Sequence, residues 1–348
     1  MERGHIAPIT TVVLACTLTV GALLIAPSAK ADPTSGEPAR AHAFSFAVIG
    51  DVPYGDEAQS RFPDLIAEIN ADPDVRMVTH LGDIKSGSTT CDDQRFDAVR
   101  QDFDAFRVPL VYTPGDNEWT DCHRANNGSY HPLERLARIR SLFFPRPGRT
   151  LGKPTHVFSQ ADVGVPENVR YVRAGVSFAT LHVVGSNDDL APWFGLGETS
   201  PAPTQITEER SRMRAAIANV RAAFQRARAS HLRGVVLQQQ ADMFDPTVTA
   251  PKFDDYSAFT PLVKAIVHES HQFDGPVYLF NGDSHRFNVD RPLASGSPWL
   301  DFYGVDQSAD NLRRVTVDGS DLGEADWLKV TVEGRGADLL TFERVPGL

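Results

Sequence analysis

From residue 44 onward, apolar runs of strand length alternate with stretches in which apolar residues recur every three or four positions. The runs are FSFAVIG (44–50), RMVTHLG (76–82), VPLVYTPG (108–115), VSFATLHVVGS (176–186), RGVVLQQQ (233–240) and GPVYLFNG (275–282). Nearly unbroken apolar runs suit strands buried on both faces, as in parallel sheets, and the periodic stretches near 56–70, 92–107, 131–143, 207–230 and 256–271 predict the crossover helices. The clearest helix is 207–230. Thr207 is its expected cap, Glu208 and Glu209 suit its positive end, Met213, Ile217, Val220 and Phe224 share one stripe, and its arginines are expected in solvent. After Asn311 the runs LRRVTVDG, WLKVTVEG and ADLLTFERV alternate and predict antiparallel strands. The stretch 145–175, rich in Pro, Gly and Arg, predicts an insertion loop near a site mouth. The pattern is that of one α/β domain over 44–348.

The segment ahead of this pattern reads differently. Arg3, an apolar run over 11–26 and the small-residue site Ala29-Lys30-Ala31 predict a cleaved signal peptide over 1–31, followed by a polar tail over 32–43. The run falls short of the roughly 20 residues that cross a bilayer, so the mature chain is expected to be secreted or periplasmic, without a transmembrane anchor. Cleavage leaves Cys91 and Cys122, an even pair in an oxidising compartment, and a disulfide is expected between them.

Over 348 residues, 41% hydrophobic and 23% charged content supports a sizeable core. A formal charge of -11 argues against coating nucleic acid, because phosphate backbones favour basic surfaces.

Four apolar runs end in Gly followed by Asp: Gly50-Asp51, Gly82-Asp83, Gly115-Asp116 and Gly282-Asp283. Ligands of open parallel sheets bind beyond the carboxyl ends of strands, where all four carboxylates fall. Converging carboxylates repel unless protons or cations neutralise them, and a metal is the simplest resolution.

In order and spacing, GDVPYG (50–55), GDIKSG (82–87), GDNE (115–118) and NGDSH (281–285) resemble the motifs of the calcineurin-like metallophosphoesterases. Those motifs run GDxH, GDxxxxG, GNHE, a His after a strand, and GHxH. The resemblance implies an α/β fold of the αββα four-layer sandwich type, divalent metals around a bridging Asp, and a metal-activated water that attacks phosphorus in line. It also implies that Asp83 is the bridge, that Asp51 and His285 serve one ion, and that Asp116 and Asp283 serve the other. The substrate would be a small-molecule or exposed phosphoester.

Several family positions differ here. Pro53 stands where the first motif has His, Asp116 and Asn117 replace the Asn-His of the third, Asp283 replaces the first His of the fifth, and Gln239 or Gln240 falls at the fourth. Carboxylate and amide oxygens favour Mn, Mg or Ca over Zn, so one or two such divalent ions are expected. Asn117 has no titrating proton to give a leaving group. His123, pinned by the expected disulfide, is a candidate acid or phosphate donor, and Arg124 a candidate phosphate clamp. Lys85, two residues past the expected bridge, is a candidate site charge, and Asn187 in GSNDD (185–189) a candidate pocket residue. His80 and His182 are expected in the core. Two functions follow: an exported metal-dependent phosphoester hydrolase, or the same fold kept as a binding or interaction module without turnover.

Overall fold

The computed structural model describes residues 44–320 and 326–347. The expected signal peptide and tail lie outside them. Thirteen strands are defined among these residues: β1 Phe44–Ile49, β2 Val75–His80, β3 Pro109–Tyr112, β4 Leu151–Gly152, β5 Phe158–Gln160, β6 Val165–Arg173, β7 Val176–Thr180, β8 Gly234–Gln238, β9 Val277–Asn281, β10 Asn288–Asp290, β11 Leu312–Thr316, β12 Trp327–Val332 and β13 Leu340–Val345. They form a six-stranded sheet, β13-β12-β1-β2-β3-β4, and a seven-stranded sheet, β10-β11-β9-β8-β7-β6-β5. The pairs β1–β2 and β2–β3 in the first sheet, and β7–β8, β8–β9 and β9–β11 in the second, are parallel.

The period of two along each strand builds the layers. Phe46 and Val48 of β1 meet Phe178, Val236, Tyr278 and Phe280 of the other sheet in a core between the sheets, where the Phe46 and Phe178 rings cross edge to face at 5.4 Å. Ala47 and Ile49 point the other way, to the helices Gly55–Ala71, Asp93–Asp104 and Pro132–Phe143. Val235, Leu237, Val277 and Leu279 pack outward against Pro203–Ala229 and Thr260–His271. The result is a helix–sheet–sheet–helix sandwich, the four-layer α/β architecture that the motifs imply.

Four details differ from the sequence pattern. Much of 145–175 is not a loop but strand: β4 extends the first sheet, and β5 and β6 form the edge of the second. Its arginines obscured the signal because an edge strand leaves one face to water. The long helix begins at Pro203 rather than Thr207, since proline is preorganised for a first turn and Gln205 Oε1 accepts the Ala202 N–H at 3.0 Å. On the same helix Arg212 is fully buried instead of solvated, bound to Asp188 and to the His182 carbonyl. Lastly, β11 runs parallel to β9, although β12 and β13 are antiparallel as expected.

Cys91 and Cys122 are disulfide-bonded, Cα to Cα 5.7 Å. No helix among the described residues is long and apolar enough to cross a membrane.

Candidate metal centre

The carboxyl ends of the parallel strands lie on one rim. Asp51, Asp83 and Asp116 follow β1, β2 and β3 of the first sheet, while Gln240, Asp283 and His285 follow β8 and β9 of the second. The site therefore straddles the seam between sheets. Asp51, Asp83, Asp283 and His285 hold left-handed backbone, φ 54°, 57°, 73° and 60°, a conformation that costs a non-glycine residue roughly 1–2 kcal/mol. Such strain persists only where the surroundings over-determine it, which is typical of functional sites. Gly115 is needed for close approach: a Cβ there would overlap the Asp83 carboxylate.

Two three-residue groups result, Asp51–Asp83–His285 and Asp83–Asp116–Asp283. Within each, one ligand atom per residue lies within 4.8 Å of the others, and Asp83 belongs to both. This is the grouping that the motifs imply. Burial, then the charges of Asp116, Glu118, Asp51 and Asp283, hold the Asp83 carboxyl well above the usual range. Asp283 is likewise held well above it by burial and then Asp116. Burial also raises Asp116, with Ser186 and Arg124 opposing, and pushes Asp121 up to about 7. The cluster is short of positive charge.

Protein donors reach into both groups. Gln240 Oε1 accepts the Gly185 N–H at 2.7 Å, which turns its amide nitrogen toward Asp83 Oδ2 at 3.3 Å, Asp116 Oδ1 at 3.1 Å and Asp283 Oδ1 at 3.1 Å. Ser186 Oγ also donates to Asp116 Oδ2 at 3.0 Å, so each carboxylate has neutral donors, which satisfy lone pairs without cancelling charge. In the other group Tyr54 Oη lies 3.1 Å from Asp83 Oδ2, 3.3 Å from Asp51 Oδ1 and 3.2 Å from His285 Nε2, and accepts from Asn117 Nδ2 at 3.1 Å. Asn117 also donates Nδ2 to Asp83 Oδ2 at 2.8 Å and its backbone N–H to Oδ1 at 3.1 Å.

The oxygen set Asp83–Asp116–Asp283 fits a hard cation, since its unpaired negative charge is what such an ion satisfies. The Asp51–Asp83–His285 group fits less openly, because a phenol oxygen already stands within 3.3 Å of all three ligand atoms.

The remaining candidates divide. Gln240 reaches the carboxylates, but with its nitrogen, so it is a hydrogen-bond donor and not the carbonyl ligand expected. Gln239 donates to the Ala241 carbonyl at 2.9 Å instead. His123 is almost fully buried and accepts the Gly195 N–H at Nδ1, 3.2 Å, with Phe194 edge-on at 4.7 Å. Burial and then the Arg124 charge lower its pKa to about 4, which leaves it neutral at pH 7 and unsuited to the acid role. Arg124 pairs with Asp121 at 2.7 Å while keeping 33% of its side chain exposed, and its Nη1 and Asn117 Oδ1 flank Gly87. Lys85 is wholly buried, donates to the Ser86 carbonyl at 2.9 Å and Asn127 Oδ1 at 3.2 Å, and is lowered to about 8 by burial against the pull of Glu118, Asp121, Asp83 and Asp116. It is a buried amine in the electrostatic reach of the cluster. Asn187 lines an adjoining cavity, but its amide is bound to the Asp254 carbonyl, Ser257 Oγ and the Ala258 N–H.

Sequence reasoning missed Tyr54, although GDVPYG contains it, because its register in the motif carries no ligand. It also missed the brace behind Asp283: Asp242 donates its N–H to Asp283 Oδ2 at 3.0 Å, accepts from Ser284 Oγ at 2.7 Å, and is ion-paired to buried Arg314. His80 and His182 are in the core as expected.

No protein-family model and no curated protein sequence matches the chain. Solved structures similar to it include GAP50, the anchor in the inner membrane complex of Plasmodium (9% identity, TM-score 0.45, 88% of this chain and 89% of that chain). They also include the phosphopantetheinyl hydrolase of Mycobacterium tuberculosis (13%, 0.43, 80% and 91%) and a purple acid phosphatase from yellow lupin, Lupinus luteus, seeds (11%, 0.46, 86% of this chain and 51% of that chain). The chain thus spans about half the length of the lupin enzyme.

Proposed function

We propose that this chain is an exported, metal-dependent phosphoester hydrolase, one domain over 44–348, acting on small-molecule or exposed phosphoesters. The observation that carries this reading is the pair of ligand groups that share Asp83. Asp83, Asp116 and Asp283 would hold a divalent ion, which would supply positive charge for a phosphate and Lewis acidity for activating water. The chain's own residues do the rest. Arg124, part-exposed beside Gly87, offers a guanidinium to phosphate oxygens, held in direction by Asp121. Asn117 orients Asp83 from both its amide and its backbone, and Tyr54 Oη keeps a proton next to Asn117, where the resembled family has its His.

The test is metal content and titration of the purified mature chain with Mn²⁺, Mg²⁺, Ca²⁺ and Zn²⁺, together with a phosphoester panel. Stoichiometric binding of a hard ion and phosphate release, both abolished by Asp83→Ala, are expected. No ion and background turnover across the panel would sink the proposal.

A second reading has its own observation. The shared carboxylate of Asp83 already receives hydrogen bonds from Tyr54, Asn117 and Gln240. On that reading the network stands without an ion, and the fold serves as an extracytoplasmic binding module.

A further inference from the structure

A cavity of about 490 Å³ opens beside the carboxylates and shares Gly185, Ser186 and Asp283 with them. That volume is within the range of small-molecule sites, roughly 300–1,000 Å³. It adjoins the centre, and on the hydrolase reading it is space open to the organic part of a phosphoester.

Its walls are of two kinds. Tyr256, Phe259, Val248 and Ala250 supply aromatic and apolar surface, and the Tyr256 hydroxyl has no hydrogen-bond partner among the described residues. The other wall is acidic. Asp242 is neutralised by Arg314, but Asp245 and Asp255 have no basic partner among the described residues, and Asp245 is bound only by the backbone and hydroxyl of Thr247 at 2.7 Å. The single base in the lining is Lys252, on the exposed rim. An anionic organic group would meet repulsion here, whereas a cation gains from both walls, through charge with Asp245 and Asp255 and through the face of an aromatic ring.

We propose that this cavity takes a compact organic cation, so that the substrate is the phosphoester of an amino alcohol bearing an ammonium or quaternary ammonium group. The substrate assignment rests on the hydrolase reading; the cation site itself does not.

The experiment is calorimetric titration of the full mature protein with choline and with its uncharged isostere 3,3-dimethylbutan-1-ol, alongside hydrolysis of p-nitrophenyl phosphate and p-nitrophenylphosphorylcholine. Choline is expected to bind about tenfold more tightly than the isostere, and Asp245→Asn and Asp255→Asn each to weaken it several-fold at unchanged melting temperature. Asp255 is exposed and Asp245 half-buried, and Asn is nearly isosteric with Asp, so these variants are expected to fold. Equal binding of choline and isostere, or no loss in either variant, overturns the cation site. Choline binding with no hydrolysis of either ester upholds the cavity and overturns the hydrolase. Hydrolysis of both esters at equal efficiency without choline binding overturns the cavity alone.

Discussion

Tyr54 Oη lies 3.1 Å from Asp83 Oδ2, and the same oxygen is in reach of Asp51, His285 and Asn117. Tyr54→Phe removes that shared atom from a buried polar cluster. The metal-free variant is expected to lose about 1–2 kcal/mol in urea unfolding, because partners remain buried without it. Manganese is expected to raise its melting temperature more than that of the wild type, since an ion then meets no phenol at Asp51–Asp83–His285. An equal rise would show that the hydroxyl does not obstruct that group.

Cation uptake is expected to release protons. Asp83 and Asp283 are both held well above the usual carboxylate range by burial and neighbouring charge, so protons compete with a cation for them. Affinity should fall as pH drops, and calorimetry in buffers of different ionisation enthalpy should report the released protons. Identical heats across buffers would contradict this. Asp121, at about 7 when folded, follows the acid rule for a raised pKa: its contribution to metal-free stability is lost as pH rises from its ordinary value of 3.8 toward 7.

His80 works in the opposite sense. Its Nε2 lies 2.8 Å from the Val52 carbonyl and its Nδ1 accepts the Gly82 N–H at 3.2 Å, which fixes the neutral Nε2–H tautomer. Burial lowers its pKa to about 4 from 6.5. Its stabilising effect is complete above pH 6.5 and is lost as pH falls toward 4, by roughly 3 kcal/mol in all. Ring-nitrogen magnetic resonance should show no titration of this residue above pH 5.

Gly185→Ala tests the geometry without removing any ligand. A Cβ there would sit 2.6 Å from Asp116 Oδ2 and 3.0 Å from Asp283 Oδ1. Divalent-ion affinity is expected to fall by about tenfold, with far-UV circular dichroism unchanged. Unaltered affinity would place the ion away from these two oxygens.

Reduction of Cys91–Cys122, or the double change to Ser, is expected to cost roughly 3–4 kcal/mol, because the bridge closes a loop of 31 positions that contains β3 and the Asp116 turn. Denaturant unfolding with and without reductant measures it.

The alternation of runs and the four Gly-Asp strand ends made the parallel strands, their rim and the carboxylates legible, because strand-end chemistry is local in sequence, whereas the four-layer sandwich followed from the resemblance of the motifs. What stayed hidden was settled by contacts between distant segments. Nothing in QQQ says which glutamine faces the cluster, or that the Gly185 N–H, 55 positions away, turns the amide nitrogen inward. Tyr54 meets His285 across 231 positions, and the fate of His123 depends on Phe194 and Gly195. Strand β6, next to the edge strand β5, was obscured by arginines on positions that are only partly buried.

Asp51, Asp83 and Asp116 belong to one half of the sandwich, and Asp283 and His285 to the other. Whatever neutralises them acts as a clasp across two facing halves, added to the packing between the sheets and to cross-links such as Gln238 Nε2 to Thr79 Oγ1 at 2.9 Å and Arg140 to Glu167 at 2.6 Å. Filling the rim should therefore resist pulling the layers apart as well as local fraying. Losing the occupant should loosen the mouth before either sheet gives way.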